Sequence, residues 1–372
     1  MITRKFKGNP LLEARCPSVF TQFVYTALLL SGCATTPTGT IQTDVIPTLH
    51  GRQVQITRVS LPLSAPGHGN VQAAAESVWA TEPSPLGRHK NIRVDTTTYQ
   101  VTELSRPWTA GVADLLVDGN SLWLSDGMTK LTGRGELYRI DPATNQTLAV
   151  IKDAGSPFAN GDGMIWAYNL RTSVVSGIDP SDNQVHTQLV TTGSSGAADF
   201  AFGAGDIWQY VRSDGVNSVR RIDPDSRETV AEISVALHHT TDRLRFVAGA
   251  VWILGELAQA RNRFLPVAVR IDAESNLVAE TIPLERSLTV CAVHANPMTP
   301  VLWDGGLWIS TFCSNIHRVP GVLLKIDLQT NKINDEIILS TLKGHPGGQP
   351  ALAAEADSVW GFDGRSAIKF YF

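Results

Sequence analysis

The sequence predicts an all-β fold, a seven-bladed β-propeller, on three observations: a tryptophan strand that recurs seven times, an Ile-Asp hairpin that keeps step with it, and a spare N-terminal strand that the last unit lacks. The tryptophans are Trp79, Trp123, Trp166, Trp208, Trp252, Trp308 and Trp360, each preceded by an aliphatic residue and a small turn. Successive spacings of 44, 43, 42, 44, 56 and 52 residues match the period of four-stranded blades.

The second element reads Arg93-Val94-Asp95, Arg139-Ile140-Asp141, Gly177-Ile178-Asp179, Arg221-Ile222-Asp223, Arg270-Ile271-Asp272 and Lys325-Ile326-Asp327. In four of the six, Asn follows four residues after the Asp: Asn145, Asn183, Asn276 and Asn331. An Asp that accepts backbone hydrogens and an Asn that tolerates left-handed φ make a tight hairpin, with apolar alternation on both sides. Each unit thus predicts strand a before the Trp, strand b carrying it, strand c ending in Ile-Asp, and strand d after the turn. The last unit stops after its strand c, 367–370, and Val54 to Pro62 precedes the first unit without a blade of its own. Pairing the two closes the ring with no open edge at the seam. The uniform repetition of the tryptophans assigns them to packing between blades.

Ahead of the propeller, 48–372, two further segments are expected. Arg4, Lys5, Lys7 and Arg15 precede an apolar stretch from Val19 to Leu30 that is too short to span a bilayer and reads as a secretory signal, 1–33. It ends in Leu30-Ser31-Gly32-Cys33, which resembles the lipobox of bacterial lipoproteins. That resemblance implies a lipid on Cys33, a membrane anchor in the cell envelope and, with Ala34 next, sorting to an outer membrane. Residues 34–47, rich in Thr and Pro, read as a tether. Of the four cysteines, Cys16 leaves with the signal and Cys33 carries the lipid, so Cys291 and Cys313 are expected as a disulfide in an oxidising compartment.

The formal net charge is −4, and the signal segment removes a further +3 (four basic residues against Glu13), leaving −7. That balance argues against nucleic acid as a partner. With 43% hydrophobic and 18% charged residues the chain has ample material for a core. No Gly-x-Ser-x-Gly, Walker or dinucleotide fingerprint is present.

The Trp strand and Ile-Asp hairpin resemble the propeller repeats of the YVTN type and of virginiamycin B lyase, over nearly all of 48–372. The resemblance implies the fold. The lyase repeats also carry a His-Gly-Ile element and a Trp-Phe-Thr-Glu strand. Here only Trp79 to Glu82 and Trp123 to Asp126 approach the second and no unit keeps the first, so no catalytic position is carried over.

Sorting residues by loop sorts them by face, because d-to-a and b-to-c loops leave a propeller at one end and the remaining turns at the other. His68, His238, His239, His294 and His345 fall in d-to-a loops and His89 and His317 in b-to-c loops, seven of the nine histidines, where chance gives about three. Imidazole titrates near neutrality and binds metals, so His68, His239 and His345, closest to the innermost strands, are the catalytic candidates for a site holding one divalent metal ion. Glu82, Asp126, Asp214, Asp242 and Glu256 are the carboxylates on that face. Trp108 and Arg106 lie outside the repeat and, with His294 and His317 beside the cysteine pair, are candidates for binding a partner. The expected function is binding of a protein or envelope glycan by a monomer through this loop-rich face. The alternative is a metal-assisted lyase or hydrolase acting on a small cyclic or sugar-derived substrate at the channel mouth.

Overall fold

The computed structural model describes residues 40–48, 51–62, 71–74, 76–81, 91–104, 112–119, 121–126, 135–194, 199–213, 216–240, 244–259, 263–284, 298–311, 322–339, 351–355, 357–362 and 365–371. The propeller is the compact unit 36–372. Its blades are antiparallel sheets, and in blades one to six the strands follow chain order from inner to outer. Blade one is Val71–Ala74, Ser77–Thr81, Asn91–Asp95 and Val101–Glu103; blade two Val112–Asp118, Ser121–Asp126, Leu137–Ile140 and Thr147–Ile151; blade three Ser156–Gly161, Met164–Asn169, Val174–Asp179 and Gln184–Val190. Blade four is Phe200–Gly203, Asp206–Ser213, Val216–Ile222 and Thr229–Val235; blade five Arg245–Val247, Ala250–Gln259, Arg263–Asp272 and Leu277–Pro283; blade six Met298–Trp303, Gly306–Thr311, Val322–Asp327 and Lys332–Ile338. Blade seven takes Ala351–Glu355, Ser358–Phe362 and Ser366–Tyr371 from the C-terminal end, and Gln53–Ser60 supplies its fourth strand, with Gln55 opposite Tyr371 and Ser60 opposite Ser366. Each innermost strand lies beside the next, and that of blade seven beside that of blade one, so the ring is closed.

Two features differ from the sequence reading. Ile41–Pro47, read as part of a tether, is a fifth strand on blade seven, paired with Gln53–Ser60. Ile41, Thr43, Val45 and Ile46 favour an extended chain, and a turn in which Gly51, at φ 79°, donates to the Thr48 carbonyl folds them back onto their neighbour. His239, read as a loop residue, belongs to a short strand, His239–Thr240, paired with the loop end of strand b in blade five.

Turn chemistry sets the other end of the ring. The a-to-b hairpins Asp162-Gly163, Ala204-Gly205, Ala248-Gly249 and Asp304-Gly305 have positive φ at both residues, the two-residue turn that matches strand twist. In every c-to-d hairpin the Asp carboxylate accepts main-chain hydrogens two or three residues on, as Asp141 does from Ala143 at 2.8 Å and Asp327 from Thr330 at 2.7 Å. The residue four after the Asp sits at positive φ: Asn145, Asn183, Asn276 and Asn331, but also Tyr99 and Arg227.

These bonds hold all six carboxylates below the usual range. The leading contributors are the Thr98 amide on Asp95, the Thr144 hydroxyl on Asp141, the Ser181 hydroxyl on Asp179, and the amides of Asp225, Ser275 and Thr330 on Asp223, Asp272 and Asp327. A depressed folded value adds stability that is complete above the unfolded pKa of about 3.9 and vanishes as pH falls through the folded value. The thermal midpoint is therefore expected to hold from pH 7 to about 5 and to fall steeply below about pH 4. Asp272→Asn should lower the midpoint at pH 7 and shrink that acid loss, as a calorimetric pH series would show.

The core lies between blades. Buried apolar residues among those described form seven clusters, one per interface, and each strand-b tryptophan faces the following blade. Where an Arg precedes the Ile-Asp or Val-Asp pair, in blades one, two, four and five, it latches the same interface. The Arg139 guanidinium lies 5.4 Å over the Trp123 ring, donates from Nε to Ser121 Oγ at 2.9 Å, and reaches the next blade at the Pro180 carbonyl and Asn183 Oδ1, the latter at 2.9 Å. Arg221 repeats this with Trp208 at 5.1 Å, Asp206 at 2.7 Å, the Ala273 carbonyl at 2.7 Å and Asn276 Oδ1 at 3.0 Å. Arg270 donates to Asn331 Oδ1 at 3.0 Å, and Arg93 to the Pro142 carbonyl at 3.3 Å. Where blade three has Gly177 in place of Arg, the following hairpin has Arg227 in place of Asn, and Trp166 stacks flat on Phe202 at 5.0 Å instead. Donor and acceptor are lost together.

Candidate functional site

The two ends of the ring differ in construction. Among the described residues, the a-to-b pairs and the short Asp hairpins stand at one end. The strand ends that open into the d-to-a and b-to-c connections stand at the other end; on blade six those connections, 285–297 and 312–321, lie outside the described residues, and their length widens the spacing between Trp252 and Trp360.

Most residues singled out from sequence lie outside the described residues: Cys33, His68, His89, Arg106, Trp108, Cys291, His294, Cys313, His317 and His345, with Glu82, Asp214 and Asp242. Asp126 closes strand b of blade two. The backbone register sets two candidates opposite each other. His239 and Glu256 are directly opposed register partners on blade five, where the His238 amide donates to the Glu256 carbonyl at 2.7 Å. Glu256 is buried, and the exposed His238 ring stacks on Phe264 at 4.9 Å.

A channel of about 260 Å³ runs between the innermost strands. Its lining includes one position on every blade, the residue opposite each tryptophan, together with neighbours such as Phe158, Phe202 and Phe246. Blades three, four and seven place Ala159, Ala201 and Ala353 there, and blades two and six Leu116 and Val301. Of these seven positions only Gln72 of blade one and Arg245 of blade five are polar, and Asn160 of blade three adds a further polar side chain to the lining. The sequence reading missed this ring, although its signal is simple: each member stands seven residues before its Trp.

Among the described residues, one grouping has the spacing of a metal site, Asp179, Asp182 and His186, with ligand atoms within 4.8 Å of one another. It lies on the hairpin side of blade three, at the opposite end from the histidine-rich loops. Asp182 accepts a hydrogen bond with His186 at 2.8 Å and raises the imidazole pKa, while Asp179 caps its own turn. These are exposed turn interactions of the kind the other hairpins also show.

Ring, closure and latches define the chain as a seven-bladed β-propeller. Solved structures agree. An inactive virginiamycin B lyase from Staphylococcus aureus with quinupristin superposes with a TM-score of 0.59 at 12% identity, over 86% of this chain and 99% of the other. Hydrazine synthase of Kuenenia stuttgartiensis gives 0.59 at 14% identity over 83% and 96%. A chain of the mitotic checkpoint complex gives 0.59 at 11% over 95% and 99%. At such identities the likeness is one of fold. No family model matches the chain, and no curated protein matches it by sequence.

Proposed function

We propose that the protein is an envelope lipoprotein, anchored through Cys33, whose propeller binds a protein partner through its loop-rich end. One observation carries this reading: all the long connections leave the ring at one end, while the other is built from tight turns held by Asp caps and Arg latches. A rigid ring presenting variable loops on one side is a binding platform. The mitotic checkpoint complex, by its name an assembly, places the same fold among protein partners. Trp108, Arg106, His294 and His317 are the contact residues, and a Cys291–Cys313 disulfide would tie the two blade-six segments into one ridge. An envelope glycan is the alternative occupant.

The register pairing of His239 with Glu256 favours a second reading, a metal-assisted lyase or hydrolase at the channel mouth. One variant separates the two. Replacing 286–296 and 313–320 by short Gly-Ser turns should leave the thermal midpoint within a few degrees and abolish the high-mass complex of mild-detergent envelope extracts on native gels. An unchanged complex would reject the first reading. About one equivalent of bound divalent metal, lost in His239→Ala, would then support the second.

A further inference from the structure

We propose that the loop-rich end of the ring is turned toward the membrane, and that the protein it binds is seated in that same membrane. The inference rests on the Cys33 anchor of the function proposed above and adds to it an orientation and a class of partner. Strand direction carries it. Ile41–Pro47 enters blade seven at the loop-rich end: Ile41 stands opposite Val59, and the Ser60 amide donates to the Thr40 carbonyl at 3.1 Å. One residue on, the Leu61 amide donates to the Arg365 carbonyl at 2.8 Å, where the chain leaves for blade one. Pro47, opposite Gln53, lies at the hairpin end. The backbone is therefore fixed in register up to Thr40, on the rim of the loop-rich end.

Reach sets the orientation. Only 34–39 separate Cys33 from Thr40, and a fully extended chain of that length spans at most about 25 Å. The strand from Ile41 to Pro47 rises roughly 20 Å along the rim of blade seven, at about 3.3 Å per residue. Turning the hairpin end to the bilayer would make the tether run back along that rim, taking up nearly all its length and holding it stretched against its own entropy. With the loop-rich end toward the bilayer, the tether continues the line of the strand and stays slack. That end then meets either lipid headgroups or a membrane protein. The net charge of −7 beyond the signal segment is repelled by anionic headgroups, which leaves the protein.

Two pairs of exposed positions measure the orientation: Gln53 and Ser60, the ends of one strand on blade seven, and Gln184 and Val190, the ends of the outer strand of blade three across the ring. A fluorescent residue is placed at each in turn. The full chain, expressed with its signal, is reconstituted in vesicles of phosphatidylethanolamine and phosphatidylglycerol that carry an acceptor dye on the headgroups. Energy transfer should be stronger from Ser60 than from Gln53, and from Val190 than from Gln184. The reverse order would overturn the proposal, and so would equal transfer within each pair, which a ring standing on its edge would give. Mass spectrometry of the N-terminal peptide separates the two readings: no lipid on Cys33 sinks the anchor and the orientation with it, whereas a lipidated chain with the reverse order sinks the orientation alone. For the partner, a protease site inserted between Thr38 and Gly39 frees the ring after photo-crosslinking from position 294 in cells. The adduct should stay with carbonate-washed membranes while uncrosslinked rings are released. An adduct released along with them would overturn the assignment of the partner to the membrane.

Discussion

Removal of residues 40–62 is expected to leave a chain with no folded monomeric state. That segment supplies two strands of blade seven and buries Ile46, Val54, Ile56, Val59 and Leu61, each at most 9% exposed. At about 1.5–3 kcal/mol for each large apolar side chain buried, the loss is on the order of 10 kcal/mol, comparable with the whole stability of a typical domain, about 5–15 kcal/mol. It also bares the ladder edge of Ser366–Tyr371, a template for pairing between chains. Size-exclusion chromatography with circular dichroism should find aggregates. Adding a peptide covering 40–62 during refolding should restore a monomer-sized complex. A truncated chain that remains monomeric with an unchanged melting curve would show that the ring does not depend on this closure.

Trp208→Ala carries the next largest effect, an expected loss of about 3–5 kcal/mol, as for other buried large-to-small changes. Trp208 is fully buried between blades four and five, donates from Nε1 to the Gly203 carbonyl at 3.0 Å, and lies under the Arg221 guanidinium. Arg221→Ala is expected to cost roughly 2–4 kcal/mol, because it removes charge-assisted bonds to Asp206 and to the next hairpin and leaves a largely buried carboxylate behind. The two side chains share one latch, so the double variant should lose less than the sum, by 0.5–3 kcal/mol. Urea unfolding of the four proteins measures this. Additive losses would mean that the stacked guanidinium and the indole act independently.

Strand order, blade count and ring closure were legible because a propeller writes them as period: one Trp, one Ile-Asp and one hairpin per blade, with a strand missing at one end and spare at the other. The Arg-to-Asn latch was visible in the same motif and went unread. Arg139 and Asn183 stand 44 residues apart in the sequence, and only the closing of adjacent blades brings them to 2.9 Å. The strand Ile41–Pro47 was hidden by composition: Thr and Pro near it signal a linker, while its β-branched residues depend on Gln53–Ser60 for a partner. The channel positions, Arg245 among them, follow strand register rather than loop position, so the loops of the sequence carry no sign of them. The candidate histidines and Trp108 belong to connections whose lengths and residues follow no repeat, so periodicity says where they leave the ring and nothing about which of them converge. His239 and Glu256 are the exception, since strand pairing sets them opposite each other.

The most direct measurement of the central claim is photo-crosslinking in cells, with a photoreactive residue placed in turn at His294 and His317 on the loop-rich end and at Ser181, Asp225 and Ser275 on the hairpin end. Adducts of one defined mass from the first two positions, and none from the other three, are the predicted result. Adducts from the hairpin positions alone would place the partner on the opposite end and contradict the account.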